Sequence, residues 1–254
     1  MVYSNYTSGL YPSYPYRRAS IHSNQQPYQT DSAWTSRYPG SIFSQKPSDR
    51  KRVALTFDDV PDSLFAPIML EIFTHYQVKA TFFCLGKCVH QNPAILADLV
   101  REGHVVGNHT YDHVDITKIS PEQVREQLQR TEDEIYRIAG VKTALFRPPF
   151  GFLNEESIRA VLSMGYKIVL WNVDSYDWMG LTGPTIVGRV ISQTTPGAIV
   201  LMHNSCEGSI DAGTGTTQSL PYIIETLRAE GYDFTTVSAL LNIQPYQEIL
   251  PARR

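Results

Sequence analysis

Two carboxylates stand side by side in VALTFDDVPD, residues 53–62. Asp58 and Asp59 close an apolar run, Val53 to Phe57, and Pro61 follows. Adjacent carboxylates repel, and each loses hydration on leaving water. Either a cation holds them together or a reaction uses them. His109 and His113, in HTYDH, stand four residues apart, a spacing that lets two imidazoles face one point on a helix or tight turn. Many such pairs are merely exposed. With a carboxylate from another strand, however, they make a two-histidine, one-carboxylate set that leaves positions open on a metal. One aspartate would then be a ligand, its charge balanced by the cation. The other would be free to take a proton from a water that the cation acidifies.

These residues need elements to carry them, and the sequence supplies a rhythm. RVALTF reads as a strand, followed by a helix from about Ala66 to Tyr76. ATFFCLG is the next strand. Asn92 then caps a helix with Pro93 at its first position, Ile95, Leu96, Leu99 and Val100 as its buried stripe and Gly103 as its stop. HVVGNH is a strand; Ser120 to Gln123 is a capping box with Pro at the first helical position, and Val124, Leu128, Ile135 and Ile138 line one face up to Gly140. ALFRP is a strand, with a helix from about Asn154 to Met164 and Gly165 behind it. YKIVLWNV reads as one strand, with a helix near Pro184 to Ser192. AIVLMH is a strand, with a helix near Gln218 to Glu230 ahead of Gly231, and DFTTV closes the series. Alternating strands and helices imply an α/β fold with a parallel sheet and right-handed crossovers. About seven units in about 200 residues suit a closed or nearly closed barrel, with an open doubly wound sheet as the alternative.

In such a barrel the C-terminal strand ends meet at one mouth. Asp58 and Asp59 follow VALTF, His109 follows HVVGN, Arg147 follows ALF, Asp174 and Asp177 follow KIVLWNV, and His203 follows AIVLM. Acids, histidines and an arginine thus converge from separate strands. The remaining polar residues read more blandly. The aspartate pair alone could be a solvated turn. Asp112 and Asp115 read as cap or surface groups, and His22, His75, His90 and His104 as structural or exposed. DAGTG, 211–215, reads as a flexible rim loop, since no Lys-Ser/Thr follows as in a phosphate cradle. No Gly-x-Ser-x-Gly elbow is present, which disfavours a serine hydrolase. Cys206, three residues past His203, could be a nucleophile.

The chain has 254 residues, enough for a full core, with 42% hydrophobic and 19% charged residues. A net charge of −3 gives no basic footprint, so nucleic acid is not an expected partner. No apolar run approaches the ~20 residues needed to span a bilayer. The first residues lack the basic-then-apolar pattern of a secretion signal. The protein is then retained inside, exported by another route, or trimmed. Three cysteines, Cys84, Cys88 and Cys206, are an odd count that argues against a disulfide framework. Cys84 and Cys88 could be half a zinc site, but Cys84 ends ATFFC and reads as a buried thiol. Residues 1–48 are rich in Tyr, Ser and Pro without a periodic apolar pattern, and read as a low-complexity tail, able to dock in part, ahead of a catalytic domain at 49–254.

Five blocks, TFDD at 56–59, HTYDH at 109–113, RPPFG at 147–151, DSYDW at 174–178 and LMH at 201–203, together resemble the polysaccharide deacetylase, or NodB-homology, domain of carbohydrate esterase family 4, over about residues 50–240. The resemblance implies a distorted barrel and a metal-dependent hydrolase that removes N-acetyl groups from N-acetylglucosamine units of peptidoglycan or chitin oligosaccharides. It implies that Asp59, His109 and His113 hold a divalent ion, usually zinc, with cobalt or another ion as substitutes. Asp58 would be the general base, Arg147 its partner, and His203 the general acid, oriented by Asp177 rather than Asp174. The backbone N–H of Phe150 would help stabilise the oxyanion, and Trp178 and Leu201 would wall the acetyl pocket. One departure is Val60, where the family usually has Gly, so the loop after Asp59 is expected to run differently. Rival readings are an O-acetyl esterase or a non-sugar amidase on the same scaffold, and a non-catalytic carbohydrate-binding or envelope-coat protein. The substrate class favours an extracellular, cell-wall or spore-associated location.

Overall fold

The computed structural model describes residues 32–204 and 210–248. Its strands are β1 (Ile42–Phe43), β2 (Arg52–Val60), β3 (Thr81–Cys84), β4 (Val105–Asn108), β5 (Leu145–Phe146), β6 (Lys167–Val169), β7 (Val173–Asp174), β8 (Ala198–His203) and β9 (Asp233–Phe234). The helices are α1 (Ser32–Arg37), α2 (Phe65–His75), α3 (Gly86–Gln91), α4 (Pro93–Arg101), α5 (Pro121–Ala139), α6 (Glu155–Ser163), α7 (Gly183–Gln193), α8 (Ile210–Ala229) and α9 (Val237–Leu241). The strands line up as β1-β6-β5-β4-β3-β2-β8-β7, with β9 beside β2, and every pairing between them is parallel. The sheet curls toward a barrel, as the strand–helix rhythm predicts.

Helix signals held where the side chains could supply them. Ser120 and Gln123 form the expected capping box on α5, and Gly140 ends it at φ +67°. Asn154 forms a second box with Ser157 at the start of α6. Asn92 precedes α4 but does not cap it, because its amide donates to the carbonyls of Pro61 and Cys88 instead. Asp62 caps α2, accepting from the amides of Leu64, Phe65 and Ala66 at 2.7, 2.7 and 3.2 Å.

Side chains of β2, β3 and β8 alternate between two apolar clusters. Val53, Leu55, Phe57, Phe82, Val200 and Met202 join one, while Ala54, Phe83, Ile199 and Leu201 join the other. This is the period of two that a strand buried on both faces requires. Thr56 and Asp58 continue the Ala54 face, and His203 continues the face of Ile199 and Leu201.

Several expectations are corrected. YKIVLWNV is not one strand: β6 and β7 are separated by Leu170–Asn172, and in the sheet order β7 is at one end while β6 is next to β1 at the other. The backbone crosses the barrel seam there, because the N–H of Leu170 bonds Phe43 O on one side and that of Asn172 bonds Ile199 O on the other. Within residues 1–48, read as a tail able to dock in part, the stretch from Ile42 to Lys46 packs into the barrel. Ile42 is buried, β1 pairs with β6, Gln45 bridges Ala198, and Lys46 N–H donates to Gly197 O at 2.8 Å. This segment closes the seam. Gly197 lets it pass: at φ +87°, it has no side chain where a Cβ would sit 1.7 Å from Lys46 O.

DAGTG is helix, not loop, since residues 211–215 lie in α8. Its glycines are there for close approach: a Cβ on Gly213 would stand 2.3 Å from the Phe65 ring, and one on Gly215 2.3 Å from Leu181 O. In DFTTV only Asp233–Phe234 is strand, and Val237 starts α9. Cys88 is disulfide-bonded, so the odd count leaves room for a pair and one free thiol. Cys84 is that buried thiol, its ionisation pushed up by burial, and the two do not make half a zinc site. Cys206 and His22 lie outside the described residues.

Candidate active site

Strand β2 does not stop at Phe57 but runs through the two aspartates to Val60. Against β3 its register goes from Phe57↔Phe82 to Val60↔Cys84, so β2 spends one residue more than its neighbour. That extra residue makes a bulge, with Asp59 at φ +61°. In a regular strand two neighbours point to opposite faces; the bulge re-aims Asp59 to the mouth that Asp58 already faces. Val60 is buried, is not among the residues at positive φ, and precedes a cis proline, Pro61. The left-handed angle therefore falls on Asp59, and position 60 does not demand the glycine that the family pattern carries.

His109 directly follows β4, and His113 lies on an irregular turn with Thr110 at φ +69° and His113 at φ +59°. Asp59 Oδ1 lies 3.7 Å from His109 Nε2 and 3.5 Å from His113 Nε2. These separations are too long for hydrogen bonds. The donor atoms of Asp59, His109 and His113 all lie within 4.8 Å of one another. Asp59 Oδ1 is buried and has no hydrogen-bond partner among the described residues. His109 donates its Nδ1 hydrogen to Arg147 O at 2.8 Å, which leaves Nε2 bare. Burial pushes His109 down to about 3, so it is a neutral ring at physiological pH. An orphaned carboxylate oxygen facing two imidazoles fits a divalent cation.

Asp58, in register with His203 across β2 and β8, is nearly buried. Its Oδ1 accepts from Arg147 Nη1 at 2.8 Å, and its Oδ2 lies 3.7 Å from His109 Nε2. Burial pushes the Asp58 carboxyl up, opposed by the charges of Arg147 and His203. A raised carboxyl is a stronger proton acceptor. Arg147 is wholly buried and well bonded: it donates to Thr56 Oγ1 (2.7 Å), Val169 O (3.0 Å) and Leu170 O (3.1 Å) and lies over the Phe83 ring at 4.2 Å.

His203 ends β8, and its Nδ1 meets Asp177 Oδ1 at 2.8 Å. Asp177, not Asp174, does the tethering. It also accepts from His203 N–H (2.7 Å), Trp178 N–H (2.9 Å) and Thr216 Oγ1 (2.6 Å). Burial works against the His203 charge, but the charge and hydrogen bond of Asp177 push it up to about 9. Asp177 itself is held below the usual carboxylate range: burial works against it, and the His203 charge and hydrogen bonds prevail. Asp174 instead accepts from Tyr176 N–H at 2.9 Å. Phe150, at φ +60° in the short turn Pro149–Gly151, has its ring 4.6 Å from that of His113. Phe150 and Trp178 are exposed, while Leu201 is buried in the barrel cluster.

All ten residues singled out in the sequence are thus described, and the acids, histidines and arginine gather in linked groups. Thr56 beside Arg147 and Thr216 beside Asp177 were missed, as was Asn108, whose Oδ1 accepts from Thr110 N–H in the histidine turn. Hydroxyls and amides carry no sequence pattern, and only their position on the strand face, or facing it, could have flagged them.

A family model described as polysaccharide deacetylase matches residues 45–169. A peptidoglycan-N-acetylglucosamine deacetylase of Bacillus cereus is 35% identical over 211 residues, covering 83% of this chain and 75% of the relative. Among solved structures, a peptidoglycan N-acetylglucosamine deacetylase in complex with an N-hydroxybenzamide superposes with a TM-score of 0.81 at 33% identity, covering 86% of this chain and all of that one. A pseudoenzyme of carbohydrate esterase family 4 from Bacillus anthracis superposes with a TM-score of 0.73 at 30% identity, over 79% of this chain and 69% of the other.

Proposed function

The chain belongs to the polysaccharide deacetylase family, and we propose that it is a hydrolase that removes N-acetyl groups from N-acetylglucosamine units of peptidoglycan, releasing acetate and leaving a free amine. One observation carries this reading: Asp59, His109 and His113 converge beside two separately tethered proton carriers, Asp58 on Arg147 and His203 on Asp177. A pseudoenzyme shares the fold, so the fold alone does not argue for turnover. A binding or coat protein has no use for both tethered groups.

Asp59, His109 and His113 would hold the divalent ion, and two nitrogens with one oxygen suit zinc, with cobalt as a substitute. When bound, the ion supplies Lewis acidity toward the acetyl carbonyl and acidifies a water. Asp58, held through Oδ1, keeps Oδ2 on the His109 side, where it would take a proton as general base. His203 is charged at neutral pH, and with Nδ1 on Asp177 it has Nε2 to protonate the leaving nitrogen. An amide nitrogen leaves only when protonated, so His203 is as necessary as Asp58. The Phe150 N–H would donate to the oxyanion, a bond worth about 2.7–4 kcal/mol in comparable sites. Trp178 and Leu201 would wall the acetyl pocket. Such a substrate implies action outside the cytoplasmic membrane, at the cell wall or spore.

Metal-loaded protein should convert N-acetylated peptidoglycan fragments to species one acetyl lighter by mass spectrometry, with stoichiometric acetate. Chitin oligosaccharides, O-acetylated sugars and a non-sugar acetamide in the same panel separate the rival substrates. Acetate release from O-acetyl esters alone would overturn the proposal.

A further inference from the structure

The turn that carries the two histidines holds a backbone shape that needs support. Thr110 is β-branched and lies at φ +69°, and His113 lies at φ +59°. Left-handed backbone is sparsely populated for such residues and persists only where the surroundings over-determine it. Asn108 Oδ1 accepts from Thr110 N–H at 3.0 Å, Thr110 Oγ1 accepts from His113 N–H at 3.1 Å, and Thr110 O accepts from Gly86 N–H at 3.0 Å.

Asn108 can do this only in one of its two amide orientations, and buried groups from two other elements fix which. Tyr166, just before β6, gives its single hydroxyl hydrogen to Glu132 Oε2 of α5 at 2.6 Å. Burial, reinforced by the Glu132 charge, pushes the phenol up, so it stays protonated. Its oxygen is then an acceptor toward Asn108 Nδ2, 3.1 Å away, and the same amide donates to Leu128 O at 2.9 Å. With Nδ2 committed twice, Oδ1 must face Thr110 N–H. Glu132 is itself locked by Thr143, through N–H at 2.8 Å and Oγ1 at 2.6 Å. Asn108, Glu132 and Tyr166 are all buried, and none of them belongs to the Asp59–His109–His113 group.

We infer that Glu132, Tyr166 and Asn108 form a positioning relay that sets the shape of the 109–113 turn and thereby the affinity of the site for a divalent cation. The inference rests on the reading of Asp59, His109 and His113 as ligands. Outer partners of ligating histidines characteristically change metal affinity by about 10- to 100-fold when removed. This relay would act one step further out, through the backbone of the turn.

Tyr166→Phe tests it, since it deletes one oxygen and keeps the ring in the core. Metal-free full-length protein is titrated with Zn2+ and Co2+ against a chromophoric chelator, and the Co2+ absorption spectrum and metal-free Tm are recorded. Val161→Ala, in the same apolar cluster, controls for lost stability. The relay predicts at least about tenfold weaker binding and an altered Co2+ spectrum for Tyr166→Phe, and wild-type affinity for Val161→Ala. Glu132→Gln, which keeps one acceptor oxygen, should weaken binding less and serves if Tyr166→Phe does not fold. Wild-type affinity and spectrum in both relay variants overturn the inference. A wild-type protein that takes up neither ion overturns the ligand reading itself, and the relay with it.

Discussion

Asp177 shows how much one carboxylate can organise. Its two oxygens accept from the His203 ring, the His203 and Trp178 amides and the Thr216 hydroxyl. The imidazole is thereby fixed in place and kept charged. A general acid works only while protonated, so activity should hold below the His203 pKa and fall as pH rises through about 9. Asp177→Asn removes the charge that raises it, and the basic limb of the kcat/KM profile should move toward the ordinary histidine value near 6.5. An unmoved limb would mean that His203 is not the acid. His113→Ala should abolish stoichiometric metal, read by equilibrium dialysis with elemental analysis, because two donors remain where three converged. These side chains were legible in the sequence because acids and histidines at strand ends are conspicuous. Thr56, Thr216 and Asn108 were not, because their value lies wholly in what they face.

At the scale of elements, strands and capped helices were readable from local pattern, and their irregularities were not. The bulge that turns Asp59 toward Asp58 depends on the register between β2 and β3, which is a relation between segments. Likewise DAGTG has the composition of a loop, and only the positions of Phe65 and Leu181 reveal why α8 needs glycines there. Gly213→Ala decides between the two readings by sign. In an exposed helix or loop it would be neutral or stabilising, by up to about 1 kcal/mol. Packed against the buried Phe65 ring, it should destabilise by about 1–3 kcal/mol in urea unfolding.

At the scale of the whole molecule, residues 41–47 behave as part of the barrel wall. Ile42 alone should contribute about 1.5–3 kcal/mol by burial, before its ladder bonds to β6 are considered. A chain beginning at Ser48 should therefore melt roughly 3–12 °C below one beginning at Ser32; equal Tm values would return this segment to the tail. Composition hid it, since a two-residue strand in a Tyr- and Ser-rich stretch has no period to detect. The seam also orders events in time. Ile42 leaves the ribosome long before Ile168, and Gln45 before Ala198, yet each needs the other to pair. The earliest-made stave of the wall must therefore wait for partners made much later in the chain, which makes sealing the barrel a late, non-local step of folding.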